Sequence, residues 1–470
     1  MFLLLDANHA ILLVICLIAA CAFEFINGFH DAANAVATVI YTNSLKPRVA
    51  VILSGIFNFI GTMTGGIAVA MAIVNLLPVE ALVDQNINHG IAMVLGILLS
   101  AIFWNFLTWY LGIPCSSSHT LIGSILGVGI AYYLLPDSQG MAVNWGKVGD
   151  IGLSLLISPI FGFSATIFLM YLLKRLTKKD KLFKEPPKNT PPSLGIRSLL
   201  ILSCTSVSFF HGSNDGQKGV GLVMLILIGI VPAYFALNPD VELKQFNKPI
   251  NELSLIIENA NLEEFGLEDK KTLQETLKVT YKLDSITHTA SLASAIPEEN
   301  RFLVRSELIN VNQNLKDITS RYPEQFSNKE LATIKSSLSE LKPFTEYSPI
   351  WVLVMISTSI GLGTMIGWKR IVVTIGEKIG KQHLTYAQGA SAEMVAATTI
   401  GLSSAFGLPV STTHVLSSGI AGSMVASKGL KNLNNNTIKN IALAWVLTLP
   451  VVIFLSASLF LLFRWISDLL

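Results

Sequence analysis

The chain has 470 residues, 51% hydrophobic and 14% charged, with a formal net charge of +2. Several apolar runs reach the 18 or so residues that cross a bilayer as a helix, which excludes an ordinary soluble domain. All four cysteines, Cys16, Cys21, Cys115 and Cys204, lie in apolar runs, so neither a disulfide framework nor a zinc site is indicated.

In chain order, Met1 to His9 carries no basic region and no small-residue cleavage site, so Ala10 to Phe25 reads as a retained first span and not a signal peptide. Five apolar segments come first, at about 10–42, 49–77, 90–112, 116–135 and 150–173. Residues 174–197 follow with eight Lys or Arg against Asp180 and Glu185, and with Pro186, Pro187, Pro191 and Pro192. This composition reads as a flexible basic linker on the cytoplasmic side. A second series of five occupies about 198–237, 348–368, 386–407, 411–427 and 440–463. It is interrupted at 238–347 by a polar, helix-patterned and net acidic insert, expected outside, in the periplasm of a Gram-negative host. The expected domains are a first transmembrane repeat (1–173), the linker, and a second repeat (198–237 and 348–470) carrying the insert.

Two internal echoes tie the series together. Gly112-Ile-Pro-Cys-Ser-Ser-Ser-His-Thr120 returns 295 residues later as Gly407-Leu-Pro-Val-Ser-Thr-Thr-His-Val415. In each copy Gly and Pro stop an apolar run, and a hydroxyl cluster sits where a new helix would start. Free amide donors and the positive end of the helix dipole make such a start a ready anion site. The second echo pairs Asn27-Gly-Phe-His-Asp31-Ala-Ala-Asn34 with His211-Gly-Ser-Asn-Asp215-Gly-Gln-Lys218, at an offset of 184. Asp31 precedes Ser116 by 85 residues and Asp215 precedes Ser411 by 196; the difference of 111 nearly equals the 110-residue insert. An internal duplication accounts for that agreement. Lys46 and Arg48 put the end of the first segment inside, while the basic linker puts the start of the sixth segment inside, so the two copies run in opposite directions. The expected fold is therefore an all-α polytopic membrane protein of two inverted-topology repeats, with 10 to 12 spans counting broken helices or hairpins, and a substrate site near the midplane.

Ionisable groups within spans are costly and face a cavity or a partner. Here they are Asp31, Asp215 and Lys218, with His30, His119, His211 and His414 beside them; half of the eight histidines fall in these motifs. The plainer reading of each His is a hydrogen bond that locks a helix end, and Lys218 has the alternative of snorkelling to an interface. Glu24 and Glu393 also lie within spans, where a buried interhelical pair explains them. Two carboxylates close to two anion-binding helix starts repel a dianion unless a cation lies between. Sodium, a divalent metal travelling with the anion, or a proton would each serve, so the residues argue for cation-coupled anion transport.

These paired motifs resemble the signatures of the inorganic phosphate transporter (PiT) family over essentially the whole chain. The resemblance implies phosphate as substrate, symport with a cation, no resident cofactor, no nucleic-acid partner, contact with membrane lipid and a homodimer in a bacterial inner membrane. Carried over by motif, Ser116, Ser117, Ser118, Ser411, Thr412 and Thr413 would be phosphate ligands. Asp31, Asn34 and Asp215 would be cation and coupling residues; this chain's own Asn214, Lys218 and His30 are expected to join them in cation or proton coupling, with His119, His414 and Gln217 in support. Sodium-coupled members carry Asn-Asp with a further Asn three residues on; in this chain His30 replaces the first Asn of one copy and Lys218 the last Asn of the other. A fixed ammonium makes a sodium ion redundant, so proton coupling is expected, with phosphate alone or as a neutral metal–phosphate complex; sodium coupling, or another tetrahedral oxyanion such as sulfate, is the alternative. An enzyme built on Ser117, His119 and Asp31 is disfavoured because adjacent Ser and His on a helix start present their reacting atoms poorly. A channel would not concentrate its substrate.

Overall fold

The structure, a computed structural model, describes residues 5–77, 87–136, 143–177, 180–187, 190–288 and 291–469. Helix α1 (Ala7–Tyr41) begins where the Asp6 carboxylate accepts the amides of Asn8 and His9, each at 3.0 Å. Its 35 residues run unbroken through the first motif. α2 (Pro47–Thr64) starts on a proline, whose missing amide hydrogen costs nothing in a first turn. The short α3 (Ala68–Val74), α4 (Ile87–Tyr110), α5 (Ser117–Tyr133) and α6 (Trp145–Leu176) complete the first half. α7 (Leu194–His211), a wide π-type turn at Gly212–Gly216 and α8 (Gln217–Ile230) form one apolar stretch of 37 residues. The second motif is thus a widened turn within a helix, the arrangement often found at functional positions.

Beyond α9 (Pro232–Phe235) come α10 (Lys244–Asn259), α11 (Leu267–Thr287), α12 (Glu298–Arg321) and α13 (Asn328–Thr345). They belong to a compact unit, Leu227–Tyr347, with its own core around Phe246, Leu253, Leu273, Leu315 and Phe344. Within it the buried Arg305 donates to the carbonyls of Ala236 (3.1 Å) and Thr345 (2.6 Å), fastening the entry and exit of the chain to α12. The other unit, Asp6–Ile226 with Ser348–Leu470, adds α14 (Ile350–Met365), α15 (Lys369–Val373), α16 (Tyr386–Ala405), α17 (Thr412–Lys428) and α18 (Asn435–Leu469).

Packing in this larger unit follows an exchange between halves. α5 lies on α18 and α17 on α6; α1 packs on α14 and α7 on α2; α4 packs on α1 and α16 on α7. The motif glycines make two of these approaches possible. A Cβ on Gly28 would sit 2.3 Å from the Ile360 carbonyl oxygen of α14, and one on Gly212 would sit 2.1 Å from the Asn58 carbonyl oxygen of α2.

Among the described residues, six helices are long and apolar enough to cross a membrane, or seven if α13 and α14 are counted as one bent span. That is fewer than the 10 to 12 expected. α5 and α17 have 17 residues each and α14 has 16, too short to qualify, and α16 is rich in Ser, Thr, Ala and Gly. Protein, not lipid, surrounds α5 and α17, so their sequences need not be long or strongly apolar.

The linker differs from a loose hinge. α6 extends to Leu176, and Lys174 donates to the Ala426 carbonyl at 3.0 Å. Leu182 and Phe183 pack on Met170, Ala387 and Ala426, while Asn43 donates to the Pro187 carbonyl at 3.2 Å. Lys178, Lys179 and Lys188 lie outside the described residues.

Candidate functional site

The two Gly-Pro-hydroxyl motifs adopt the same local structure. Gly112 and Gly407 turn at φ +66° and +68°, a region that disfavours any side chain. Ser116 and Ser411 then cap α5 and α17: their hydroxyls accept the amides of His119 at 3.2 Å and His414 at 3.1 Å. The two starts meet, with the His119 and His414 rings 4.5 Å apart between centroids and His414 stacked on Trp445 of α18 at 3.9 Å. Ser116 and Ser411, expected as ligands, each use an oxygen lone pair to cap a helix start.

The remaining hydroxyls converge on the two carboxylates. Asp31 Oδ1 accepts Thr413 at 2.6 Å and Asn34 at 3.3 Å; its Oδ2 accepts Ser117 at 3.1 Å and Thr412 at 3.5 Å. Asn34 also donates to Thr413 Oγ1 at 3.0 Å. On the other side Asp215 Oδ1 accepts Ser118 at 3.3 Å and is ion-paired with Lys218, whose ammonium also donates to Ser118 and, at 2.8 Å, to the Val410 carbonyl. All these side chains are buried. Each hydroxyl cluster thus reaches a carboxylate: Asp31 draws on both, Asp215 on the first.

His211 stands between the carboxylates, its Nε2 at 3.6 Å from Asp31 Oδ2 and 3.6 Å from Asp215 Oδ2. Asn58 holds the other ring nitrogen: its amide donates to Thr364 Oγ1 at 2.8 Å, leaving Oδ1 to face His211 Nδ1 at 3.0 Å. With Nδ1 turned to Asn58, Nε2 is the ring nitrogen that faces the two carboxylates. His211 Nε2 and Asp215 Oδ2 are buried without a hydrogen-bond partner, and with Asp31 they lie within 4.8 Å of one another. Two carboxylate oxygens and an imidazole nitrogen aimed at one point form a donor set that suits a divalent cation.

The family model described as the phosphate transporter family matches residues 27–456, from Asn27 at the head of the first motif into α18. The chain belongs to the phosphate transporter family. It is 41% identical to the low-affinity inorganic phosphate transporter of Buchnera aphidicola from Acyrthosiphon pisum, over 97% of each chain. Against the Escherichia coli low-affinity inorganic phosphate transporters PitB and PitA the identities are 39% and 40%, over 98% of each chain. Among solved structures it shares the fold of one titled the sodium-dependent phosphate transporter, with TM-score 0.54 and 21% identity, over 98% of this chain and 99% of that one. This phosphate transporter family member is a multi-pass membrane protein and not an enzyme.

Other expected site residues in the family member fall into two groups. His30 touches the cluster, with Nδ1 at 3.2 Å from Asp31 Oδ1 and Nε2 at 3.3 Å from Thr108 Oγ1. Asn214 instead pins the loop ahead of α17, donating to Ser404 Oγ (3.0 Å) and the Leu408 carbonyl (3.1 Å) and accepting the Val410 amide (3.1 Å). Gln217 donates to the Thr62 carbonyl of α2 at 2.7 Å. Glu24 accepts Asn27 at 3.1 Å and keeps Oε1 unpartnered, whereas Glu393 takes the Ser203 hydroxyl. Sequence reasoning noted His211 only as a flank and missed Asn58, Thr108 and Thr364. A lone Asn in the apolar segment of α2 was the available signal for Asn58.

Capping and site hydroxyls separate in a mutational series. Ser116→Ala and Ser411→Ala each lower unfolding free energy by about 1 kcal/mol, the typical loss of an N-cap, and change labelled-phosphate uptake only a few-fold. Thr413→Val keeps its shape, leaves the melt nearly in place and removes most uptake, because it deletes the 2.6 Å donor to Asp31. A Ser116→Ala loss of uptake equal to that of Thr413→Val would put Ser116 back among the ligands.

Proposed function

We propose that this protein imports inorganic phosphate across the bacterial inner membrane by proton-coupled symport with alternating access, the phosphate moving alone or as a neutral metal–phosphate complex. Phosphate is favoured over sulfate because the full-length relatives bear the name of inorganic phosphate transporters. Inverted repeats are supported by the exchange in which α5 packs on α18 and α17 on α6.

The observation that carries the coupling is Lys218. Its ammonium is ion-paired with Asp215 and bonded to Ser118, a fixed positive charge beside one of the two carboxylates, where a sodium ion would otherwise balance it. In the arrangement seen here the hydroxyls donate to Asp31 and to Asp215 Oδ1, while Asp215 Oδ2 is left without a hydrogen-bond partner. Phosphate entering between the starts of α5 and α17 takes Ser117, Ser118, Thr412 and Thr413 and the free first-turn amides, so Asp31 loses its donors. A proton, or a divalent cation held by Asp31, His211 and Asp215, then offsets the carboxylates, and one bundle moves against the other to open the opposite side.

The test is labelled-phosphate uptake into proteoliposomes with pH and sodium gradients imposed separately, each with and without Mg²⁺. Accumulation under the pH gradient alone is the expected result; strict dependence on sodium, with no effect of a protonophore, would refute it. Sodium coupling is the second reading, because Asp31 and Asn34 keep the spacing of the sodium-coupled pattern in the first copy.

A further inference from the structure

A cavity of about 660 Å³ in the larger unit is lined among others by Trp109, Tyr110, Lys369, Arg370, Thr374 and Lys378, none of them a member of the buried cluster. Three of its lining residues are cationic and none is acidic. The neighbouring carboxylate, Glu377, is turned to the Tyr41 hydroxyl. Arg370 is held in place: its guanidinium lies 5.2 Å from the Trp109 ring and 4.8 Å from the Tyr110 ring, and donates to the Tyr110 carbonyl at 2.7 Å. Lys369 and Lys378 are exposed.

Two observations fix where the cavity stands. Thr374 donates to the Gly112 carbonyl at 2.8 Å, and Gly376 lies against the Tyr41 ring at the end of α1. That end leads into Lys46 and Arg48, the cytoplasmic end by the distribution of basic residues. Of the lining residues Leu111 stands 59% exposed; Ile366, next in sequence to the lining Gly367, is 56% exposed, and the exposed Phe106 has its ring 5.5 Å from that of the lining Trp109. Indole, phenol, lysine and arginine beside bare aliphatic surface is the composition of a membrane interface.

We propose that this cavity seats an anionic phospholipid of the cytoplasmic leaflet, its phosphate between Lys369, Arg370 and Lys378 and its acyl chains over Phe106, Leu111 and Ile366. Basic pockets between spans on this side select anionic headgroups, since the leaflet supplies the negative charge and the three cations need a counterion. A free phosphate ion would meet the same cations but gain nothing from the apolar wall. The seat connects to the transport cluster through two side chains. Trp109 donates to the Gly367 carbonyl at 2.8 Å and packs on Phe29 at 4.8 Å, and Phe29 immediately precedes His30 and Asp31.

The experiment extracts the full-length protein from vesicles of equal phosphatidylglycerol and phosphatidylcholine and counts retained lipids by native mass spectrometry. Wild type retains phosphatidylglycerol in excess, Lys369→Gln and Lys378→Gln each cut that excess about fivefold, and Lys369→Arg with Lys378→Arg preserves it. Excess inorganic phosphate does not release the lipid. Equal retention of the two lipids by wild type, or unchanged selectivity in folded Gln variants, overturns the proposal. Release by inorganic phosphate overturns it too, assigning the cavity to free anions. The wild-type comparison stands even if a variant fails to fold, and none of these readouts depends on transport.

Discussion

Asp31→Asn lowers phosphate uptake by roughly a hundredfold, the factor expected when a buried charged cluster loses a member at a cost of about 3 kcal/mol. The substitution keeps the shape of the side chain and one acceptor oxygen. It removes the charge toward which Thr413, Ser117, Thr412 and Asn34 donate and which His30 and His211 flank. An amide in that place presents hydrogens to at least one of those donors. Uptake into proteoliposomes, read beside a thermal melt, separates this loss from misfolding. Phosphate exchange at zero gradient adds a second readout, because a coupling residue can lose accumulation while retaining some exchange. Normal accumulation by Asp31→Asn would remove Asp31 from the mechanism.

Lys218→Asn abolishes accumulation driven by the pH gradient and makes residual uptake depend on sodium. The change leaves Asp215 buried without its ammonium partner, a loss of about 3–5 kcal/mol if nothing replaces it. It also recreates at Asp215 the carboxylate and amide spacing present at Asp31 and Asn34, so a sodium ion becomes the natural replacement. Melting temperature should then rise with added sodium in the variant and not in wild type. The double variant Asp215→Asn with Lys218→Met melts above Asp215→Asn alone, because neither charge is left single. Unchanged pH-driven accumulation in Lys218→Asn would make the ammonium a structural bystander.

Much of the architecture is legible in the sequence, because it rests on signals local along the chain. Apolar runs placed the long helices, and Gly-Pro-hydroxyl punctuation placed the starts of α5 and α17 to within a residue or two. The repeated motifs also identified Asp31, Asp215 and Lys218, which the structure brings together with Ser117, Ser118, Thr412 and Thr413. What escaped depended on partners distant along the chain. Nothing in the spacing of Ser116 and Ser117 says that one caps a helix and the other faces a carboxylate. That division comes from which hydroxyl each first turn directs at its own backbone. Asn58 and Thr364, separated by 306 residues, orient His211 only because α2 and α14 meet. The excess in the count of spans has a related cause. An apolar run marks exclusion from water, and for α5 and α17 the excluding medium is protein.

The exchanged pairing of helices has a consequence for biosynthesis. About 300 residues separate the end of α5 from the start of α18, its packing partner. At about 5–20 residues per second, α5 waits roughly 15–60 s for α18 to leave the ribosome. During that interval its Ser-Ser-Ser-His start and the carboxylate of Asp31 stand in or beside lipid without the second hydroxyl cluster. The first half therefore cannot complete its own packing, and a chain truncated after α6 is expected to fall to lower steady-state levels than the full chain when the two are compared by immunoblot.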